Sequence, residues 1–579
     1  MEGYAKKAID IVFGERKDFI IIGLTGRTGN GCSTIADLLT KNFLELEIPI
    51  PVHSNEMNEA ERKKEIIYNY AEKNWRPFIK IEVKYIIFTF LLEYSFDRLR
   101  DFLKQNNKWE DFSKFAGEKG IEDLENKFNE YHIKRLRFKR ILEENKMKEY
   151  ISDVYTFYFA EIHGLFDEIV AILNEIRFYT LPMQIWGDNI RKYNSPYEED
   201  KEDLKINNYI LVQRINTMIK ILRTKNLTDN GSVLVVIDAL RNPFEVSFFK
   251  DRYSSFYVLG VTCNEKIRNQ RLFNKGLTIE DVENLKNHEY PSLTKYGLSD
   301  DEFFYKINVE GTMSLADIFI TNEGVDKKLY SVKEELIKYI SLMMHPGLVQ
   351  PNKTEYCMQM ANDSKLNSGC LSRQVGAVIT DNQFNIIATG WNNVPDKQIS
   401  CSLRSICSLV NDSSVDSNGL SSFEKYNEEF RGYAKTCIKS IDLNELRGLP
   451  SPYCFKDIYN GFQSNKNQVH TRSIHAEEMA FLQSGKIGAP NPNGGFLFTT
   501  ASPCELCAKK AYHLGIKVIY YIDLYPGISY DHILNTGDQI PKMIQFSGAI
   551  GRAYQQLYTP ILPFKDELKM RLKWNFKRK

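Results

Sequence analysis

The C-terminal part of the chain carries a histidine, a glutamate and two cysteines in an order that suits metal chemistry. Glu477 follows His475 by two positions, and Cys504 and Cys507 stand three apart after Pro503. One histidine and two thiolates give three protein ligands, and a catalytic zinc keeps its fourth tetrahedral position for water. Glu477 would lie beside the metal without ligating it and is suited to move a proton between water and a substrate ring. The pattern predicts a catalytic zinc site in which Glu477 is the acid and base.

The alternative is a purely structural zinc site. Such a site needs a fourth protein ligand and has no use for Glu477. The order of the two motifs also matches H-x-E followed by P-C-x-x-C, the signature of zinc-dependent nucleobase deaminases. We therefore favour a catalytic zinc over a zinc knuckle.

Composition limits the class of protein further. The chain has 579 residues with 43% hydrophobic side chains, which is typical of a folded protein of more than one domain. Lysine and arginine total 76 against 75 acidic residues, and this balance argues against a dedicated nucleic-acid binder. Eight of the ten cysteines lie between Cys357 and Cys507, and the first residues do not resemble a signal peptide. We expect a cytoplasmic protein whose clustered thiols bind metal rather than form disulfides.

Short apolar runs predict the elements that position these residues. Phe19–Leu24 and Val233–Ile237 resemble buried strands, and similar runs occur near residues 256–261 and 318–320. The long segment between the first two runs is rich in helix formers and predicts a helical insertion. Alternating strands and helices predict an α/β fold with a mostly parallel sheet and helices on both faces. A helical connector ending at Met344 predicts two domains, residues 1–345 and 346–579.

A glycine-rich segment follows the first predicted strand and opens a helix, as a phosphate-binding loop does. Compared with G-x-x-x-x-G-K-[ST], it keeps both outer glycines and the serine but has Cys32 in place of lysine. A thiol cannot supply the missing charge, so we expect a regulatory or nucleotide-sensing domain rather than an active kinase, unless Arg27 substitutes. The simpler interpretation is a tight strand-to-helix turn. The residues predicted to contact a nucleotide and Mg²⁺ here are Gly26, Arg27, Gly29, Gly31, Cys32, Ser33 and Asp238.

Residues from about 354 to 540 resemble the deoxycytidylate deaminase family. The similarity rests on residues 372–379, on Gly390-Trp391-Asn392-Asn393, on the two zinc motifs and on two tyrosines in the segment after them. It implies a five-stranded sheet between helices, and hydrolysis of the cytosine amino group of a deoxynucleotide to give a uracil. It also implies that several residues contact the nucleotide. For the two tyrosines, ordinary packing at the end of a strand is the alternative interpretation. The residues so implied are Ser372, Arg373, Asn392, Tyr521 and Tyr525.

The same resemblance implies a second, structural zinc. Cys370 and Cys401 fall at the positions of its first ligands, and His470 together with Cys454, or with Cys437 or Cys407, would complete the set. The alternative is that these are free buried thiols that pack as small hydrophobic residues.

A nucleotide-kinase-like P-loop domain of three layers with a helical insertion, followed by a cytidine-deaminase-like α/β/α domain, resembles the bacterial antiviral cytidine deaminases. That resemblance implies dCMP or dCTP as substrate, depletion of the deoxycytidine pool on phage infection, homo-oligomers such as hexamers, and in some members an inhibitory small RNA. Two other functions stay open: a deaminase that edits RNA or single-stranded DNA, and a non-catalytic nucleotide sensor with structural zinc.

Overall fold

The chain divides after Gln350 and again after Tyr554, so that one unit comprises Met1–Gln350 with Gln555–Lys579 and the other Pro351–Tyr554. The sequence predicted one boundary at residue 345 and assigned the whole C-terminal part to the second domain. The structure instead groups the last helix with the first unit, because its Arg571 binds Asp10 at 2.8 Å. The computed structural model describes residues 4–51, 57–198, 207–228, 231–290, 299–324, 328–410, 418–438, 443–464, 467–523 and 528–572.

The first unit contains parallel strands in the spatial order β2-β3-β1-β4-β5. Four of them coincide with the predicted apolar runs. The short strand β2 was not predicted, because four residues of alternating polarity give little signal in a helical context. The bounds of the strands are Phe19–Thr25 (β1), Ile79–Glu82 (β2), Val233–Asp238 (β3), Phe256–Thr262 (β4) and Ile318–Thr321 (β5).

The predicted insertion is confirmed as a run of helices between β2 and β3, and its described residues include a π-helix, Phe157–Glu161. Its α-helices are Val83–Leu91 (α4), Phe96–Gln105 (α5), Trp109–Ala116 (α6), Glu118–Glu143 (α7), Ile151–Thr156 (α8), Ile162–Glu175 (α9), Thr180–Tyr193 (α10) and Ile210–Thr228 (α11). The helices that precede it are Tyr4–Asp18 (α1), Cys32–Leu39 (α2) and Glu59–Asn74 (α3). Those that follow are Pro243–Arg252 (α12), Glu265–Asn274 (α13), Ile279–Glu289 (α14), Glu302–Tyr305 (α15), Val309–Met313 (α16) and Tyr330–Met344 (α17), with Phe564–Leu572 (α26) near the chain end.

The second unit has a five-stranded sheet in the order β10-β9-β8-β6-β7. Strands β8, β9 and β10 are parallel, whereas β6 pairs with both β7 and β8 in antiparallel fashion. The strands of this sheet are Gly376–Thr380 (β6), Ile386–Trp391 (β7), Phe496–Ala501 (β8), Val518–Asp523 (β9) and Lys542–Gln545 (β10), and the two-residue strand Gly548–Ala549 (β11) lies outside it. The helices are Lys353–Ser364 (α18), Ile406–Val410 (α19), Ser422–Tyr426 (α20), Glu428–Ile438 (α21), Phe455–Phe462 (α22), Ala476–Lys486 (α23) and Glu505–His513 (α24), and Gly551–Tyr558 (α25) begins in this unit and continues past its last residue, Tyr554.

The core of the second unit lies between this sheet and the two helices that begin at the zinc motifs. Ala480 of α23 and Ala508 of α24 are fully buried against Ile379 and Leu497 of the sheet. Because alanine side chains are small, both helices approach the strands closely and are held rigidly. Among the described residues no helix combines the length and the apolar run that crossing a bilayer requires.

Candidate active site

The structure brings the three predicted zinc ligands together at the starts of two helices. His475 is the residue before α23 and Cys504 the residue before α24, with Cys507 in the first turn of α24. The His475 Nδ1 atom lies 3.3 Å from the Cys504 sulfur and 3.5 Å from the Cys507 sulfur. Among the described residues, these three form the one set of metal-ligating side chains whose donor atoms all lie within 4.8 Å.

These separations fit a tetrahedral zinc ion. Ligand bonds of about 2.0–2.3 Å at tetrahedral angles place donor atoms roughly 3.5 Å apart. Two thiolates and one imidazole are the donor types that zinc takes in catalytic sites with three protein ligands. The residues present therefore fit the metal, and they leave one coordination position to a non-protein ligand.

The electrostatics of the site favour a thiolate. A hydrogen bond from the Cys507 thiol and the neighbouring His475 lower the pKa of Cys504 to about 4. The partial positive charge at the start of α24 acts in the same direction. The same thiol contact raises the pKa of Cys507, because it stabilises the protonated form of that side chain. The pair thus holds a negative charge ready for a cation.

Glu477 lies two residues beyond the first ligand and is 4% exposed. Burial is the main cause of its raised pKa. The Thr499 hydroxyl of β8 lies 3.5 Å from the Glu477 carboxylate and donates a shorter bond of 2.8 Å to the carbonyl of Ala501. Glu477 is therefore a carboxyl group excluded from bulk water beside the donor set, as an acid and base requires.

A close backbone contact sets the position of α23. A Cβ at Gly390 of β7 would lie only 2.2 Å from the carbonyl oxygen of Ala476 and 2.5 Å from the nitrogen of Ala480. Next to it, Ile474 donates a backbone hydrogen bond of 2.8 Å to Asn393. The backbone on both sides of His475 is thereby tied to the end of β7. Sequence reasoning quoted Gly390 as part of a motif but did not identify this packing role.

The side chain of Asn392 forms hydrogen bonds with the loop in front of β6. Its amide nitrogen donates to the carbonyl of Arg373 at 2.6 Å, and its oxygen accepts from the nitrogen of Val375 at 2.7 Å and from the Ser368 hydroxyl at 2.8 Å. All of these partners belong to the chain itself, so the structure assigns Asn392 to positioning this loop. The nucleotide contact that the resemblance implies for Asn392 stays a prediction.

The other predicted nucleotide contacts lie near the same sheet edge. The Arg373 guanidinium forms a 3.3 Å ion pair with Asp523 at the end of β9, and Ser372 beside it is exposed. Tyr521 is half-buried in β9, and Tyr525 lies outside the described residues. Sequence reasoning missed Asp523, although an apolar strand ending in aspartate is the same signal that singled out Asp238.

The predicted structural-metal residues are only partly assembled. Cys370, Cys401 and Cys454 line one cavity. The His470 ring instead packs edge-on against Tyr459, with ring centres 4.6 Å apart. Within the described part of the chain these residues do not supply three donor atoms within 4.8 Å of one another. Of the two alternative thiols, Cys437 is exposed and Cys407 lies 3.8 Å from the Ser451 hydroxyl.

In the first unit the glycine-rich segment joins β1 to α2 as predicted. Gly29 and Gly31 have φ values of 93° and 100°, which other residues rarely adopt, and α2 begins at Cys32. Burial and the charge of Asp238 raise the pKa of the Cys32 thiol to about 12, so this position carries no charge. Burial raises the pKa of Asp238, and a hydrogen bond from Ser33 opposes that shift.

Arginines bind the outside of this loop. Arg27 pairs with Glu265 of α13 at 2.5 Å, so a carboxylate of the chain already binds its guanidinium. Arg268 and Arg271 of α13 donate to loop carbonyls, and Arg268 reaches the Thr28 carbonyl at 2.8 Å. A close contact also explains Gly26, where a Cβ would lie 2.6 Å from the carbonyl oxygen of Val261.

A carboxylate contributed by α14 is bound to the same loop. The Glu289 side chain is fully buried and accepts hydrogen bonds from the Thr28 nitrogen at 2.8 Å and from Arg241 at 2.9 Å. Arg268 lies 3.6 Å from its other oxygen. Backbone N–H and arginine donors of this kind would serve an anionic ligand equally well. Sequence reasoning missed Glu289, which contacts the loop only through the tertiary fold.

The fold of the second unit and its donor set define a zinc-binding hydrolase site of the deaminase type. More particularly, residues 351–523 match the family described as the cytidine and deoxycytidylate deaminase zinc-binding region. Members of this class are hydrolases that act on the amidine of a cytosine ring. Residues 351–523 of the second unit are therefore similar to the zinc-binding region of that class.

Individual proteins show the same similarity. The chain is 25% identical over 286 residues to the deoxycytidylate deaminase of Schizosaccharomyces pombe, covering 49% of this chain and 66% of that protein. It is 29% identical over 199 residues to the deoxycytidylate deaminase of Enterobacteria phage T4, covering 32% of this chain and 88% of that protein. The crystal structure of the dCMP deaminase from the cyanophage S-TIM5 in complex with dCMP and dUMP aligns over 34% of this chain and 99% of that chain, with 20% identity and a TM-score of 0.21.

Proposed function

We propose that the second unit hydrolyses the amino group of a deoxycytidine nucleotide, dCMP or dCTP, to give the deoxyuridine nucleotide and ammonia. The observation that carries this proposal is the assembly of His475, Cys504 and Cys507 within 4.8 Å beside the buried carboxyl of Glu477. The names of the yeast and phage T4 relatives support a deoxycytidylate as substrate.

The residues of the chain divide the work between holding the metal and moving protons. Zinc held by His475, Cys504 and Cys507 would supply a Lewis acid that makes water nucleophilic near neutral pH. Glu477 takes a proton from the attacking water and delivers it to ring N3, and it then takes the proton of the new C4 hydroxyl and delivers it to the departing amino group. Its burial excludes bulk water and raises the pKa of its carboxyl group, so the side chain can hold a proton during the reaction. Water adds at C4, and ammonia leaves from the same carbon.

The loop in front of β6 is proposed to hold the nucleotide. Arg373 offers a guanidinium at the sheet edge where β9 ends, and its partner Asp523 keeps it there at 3.3 Å. Ser372 and the half-buried Tyr521 belong to the same proposed contact surface. Asn392 positions this loop, because its amide nitrogen donates to the Arg373 carbonyl at 2.6 Å, and a contact of Asn392 with the nucleotide is part of the same proposal.

For the first unit we propose a regulatory, nucleotide-binding role in a P-loop kinase-like domain. The glycine-rich turn between β1 and α2 supports it, as does the Ser33–Asp238 contact that would hold Mg²⁺. The neutral Cys32 thiol argues against phosphoryl transfer. Depletion of the deoxycytidine pool during phage infection, a homo-oligomeric assembly, an inhibitory small RNA and a cytoplasmic location complete the proposal on the strength of the resemblance alone.

A substrate panel tests the proposed reaction. Zinc-loaded protein is incubated separately with dCMP, dCTP and cytosine-containing RNA and DNA oligonucleotides, and ammonia and uracil products are measured. We expect turnover of at least one free deoxynucleotide and none of the oligonucleotides. Turnover of oligonucleotides alone would instead identify an editing deaminase. A protein that is inert on every substrate yet retains zinc would be the nucleotide sensor.

A further inference from the structure

A threonine hydroxyl lies against the carboxyl group of Glu477 inside an apolar part of the core. Thr499 of β8 is fully buried, and its Oγ1 atom is 3.5 Å from Glu477 Oε1. Its neighbours on the same face of the sheet are Leu497 of β8 and Ala377 of β6, which both belong to the hydrophobic core. A hydroxyl placed among such side chains costs free energy unless hydrogen bonds satisfy it. The contacts of Thr499 with its polar neighbours therefore matter.

The proton of this hydroxyl has two acceptors within reach. It is donated to the Ala501 carbonyl at 2.8 Å, a normal O–H···O distance, and Glu477 Oε1 is the second acceptor. A threonine hydroxyl rotates and carries one proton, so it bonds well to one of these acceptors at a time. Hydrogen bonds to an ionised carboxylate are roughly twice as strong as those between neutral groups. We therefore expect the proton to turn towards Glu477 whenever that carboxyl group is ionised.

Thr499 keeps its proton when zinc is bound, whereas Cys507 does not. The Cys507 thiol also hydrogen-bonds to Glu477. Cys507 is a zinc ligand in the proposed site, and a cysteine that ligates zinc is a thiolate with no proton to donate. Hydrogen bonds of catalytic groups are often long without substrate and shorten in the complex, so a separation of 3.5 Å is compatible with a role for Thr499.

We propose that Thr499 is a positioning residue for Glu477. Its hydroxyl holds Oε1 of the carboxyl group, so that Oε2 is the oxygen that faces the substrate and moves the protons. When Glu477 is protonated, the Ala501 carbonyl keeps the hydroxyl in place. Ala501 precedes Cys504 by three residues, so the same hydroxyl ties the carboxyl group to the segment that carries a zinc ligand. This inference rests on the proposed deamination and adds a residue to it.

Two substitutions separate the hydroxyl from the shape of the side chain. Thr499→Val keeps the branched shape and removes the hydroxyl, whereas Thr499→Ser keeps the hydroxyl and removes a methyl group. The steady-state kinetics of the full-length, zinc-loaded proteins are measured with whichever of dCMP and dCTP the wild type turns over. We expect Thr499→Val to lower kcat about 5-fold, the effect of one lost neutral hydrogen bond, and to change KM by less than about 2-fold. Thr499→Ser should keep kcat within about 2-fold of the wild type, the reverse of the order that a packing role would give.

Thr380→Val is the matched control. Thr380 of β6 is also fully buried and donates its hydroxyl to a backbone carbonyl, that of Asp381 at 2.9 Å. It lies opposite Phe496 at the start of β8, whereas Thr499 is near the end of that strand. Thr380→Val should keep the kcat and KM of the wild type, and every variant should keep its zinc.

The possible results separate this inference from the proposed function. With deamination intact, the inference is overturned if Thr499→Val is no slower than Thr380→Val or if Thr499→Ser is as slow as Thr499→Val. Loss of zinc from Thr499→Val would also overturn it, because Thr499 would then support the metal ligands rather than Glu477. A wild-type protein that turns over neither nucleotide would overturn the proposed function and this inference together.

Discussion

The carboxylate of Glu289 accepts a hydrogen bond from the backbone nitrogen of Thr28, so that one loop of the first unit binds an anion that belongs to the chain itself. Thr28 also donates its hydroxyl to the same oxygen at 2.5 Å, and Arg241 adds a third donor. The glycine-rich loop is thus stabilised without any external phosphate. An external anion would have to compete with Glu289 for these donors.

Glu289→Gln tests this competition. The substitution keeps the size of the side chain but leaves Arg241 and Arg268 without their buried anion, and we expect the free energy of unfolding to fall by about 3 kcal/mol. Inorganic phosphate should then raise the melting temperature of the variant more than that of the wild type, because it replaces the lost charge. Glu283→Gln, on the exposed side of the same helix, is the control. An equal response of variant and wild type to phosphate would contradict the prediction.

Glu477→Gln should abolish deamination while zinc remains bound. The amide cannot transfer the proton, and loss of a general acid and base reduces turnover by about 10²–10⁴-fold. Ammonia release from dCMP and metal content per chain are the two measurements. Glu478→Gln is the neighbouring control, since Glu478 pairs with Lys510 and lies outside the donor set. Full activity in Glu477→Gln would remove Glu477 from the mechanism.

Gly390→Ala should disturb the zinc site from the opposite side of α23. The added methyl group would overlap the Ala476 carbonyl, so the helix that follows His475 must move. We expect loss of bound zinc and destabilisation by about 2 kcal/mol, which metal analysis and thermal unfolding will show. Gly485→Ala is the control: Gly485 lies in α23, and no atom lies within 4 Å of the position of the new methyl group. This substitution should raise the free energy of unfolding by up to about 1 kcal/mol. Similar zinc content in both variants would show that the close contact is not required.

Glu93 should govern the acid stability of the helical insertion. Burial alone would raise the pKa of this carboxyl group, but Arg214, Arg135 and Lys139 lower it from 4.5 to about 2. Because the pKa of Glu93 is lowered in the folded protein, its carboxylate stabilises the fold at pH values above the ordinary pKa of 4.5. This stabilisation is lost as the pH falls from about 4.5 towards 2. The shift corresponds to about 3 kcal/mol.

Urea unfolding at several pH values checks this expectation. Glu93→Gln should be less stable than the wild type near neutral pH, and the difference should shrink in acid, where the wild-type carboxylate is protonated. Glu130→Gln removes a surface carboxylate that pairs with Lys134, and it should change stability by less than about 1 kcal/mol at any pH. A constant difference between Glu93→Gln and wild type down to about pH 2 would contradict the assignment.

The zinc ligands and four strands of the first unit could be predicted because local signals encode them. The zinc ligands could be predicted because the start of a helix brings closely spaced residues together, as it does for His475, Cys504 and Cys507. The strands could be predicted because buried parallel strands are continuous apolar runs in the sequence. The anion role of Glu289 could not be predicted, because it contacts Thr28 across 261 positions of the sequence. The hydrogen bonds of Asn392 to the loop in front of β6 could not be predicted for the same reason, because they depend on how that loop folds back.

The return of residues 555–579 to the first unit determines the order in which the two units become complete during translation. All residues of the second unit leave the ribosome before Glu567 and Arg571 do. Until then His345 lacks its hydrogen bond of 3.1 Å to Glu567, and Asp10 lacks its ion pair of 2.8 Å with Arg571. The nascent chain can therefore complete its second unit first, and a premature stop near residue 555 would spare the second unit and damage the first.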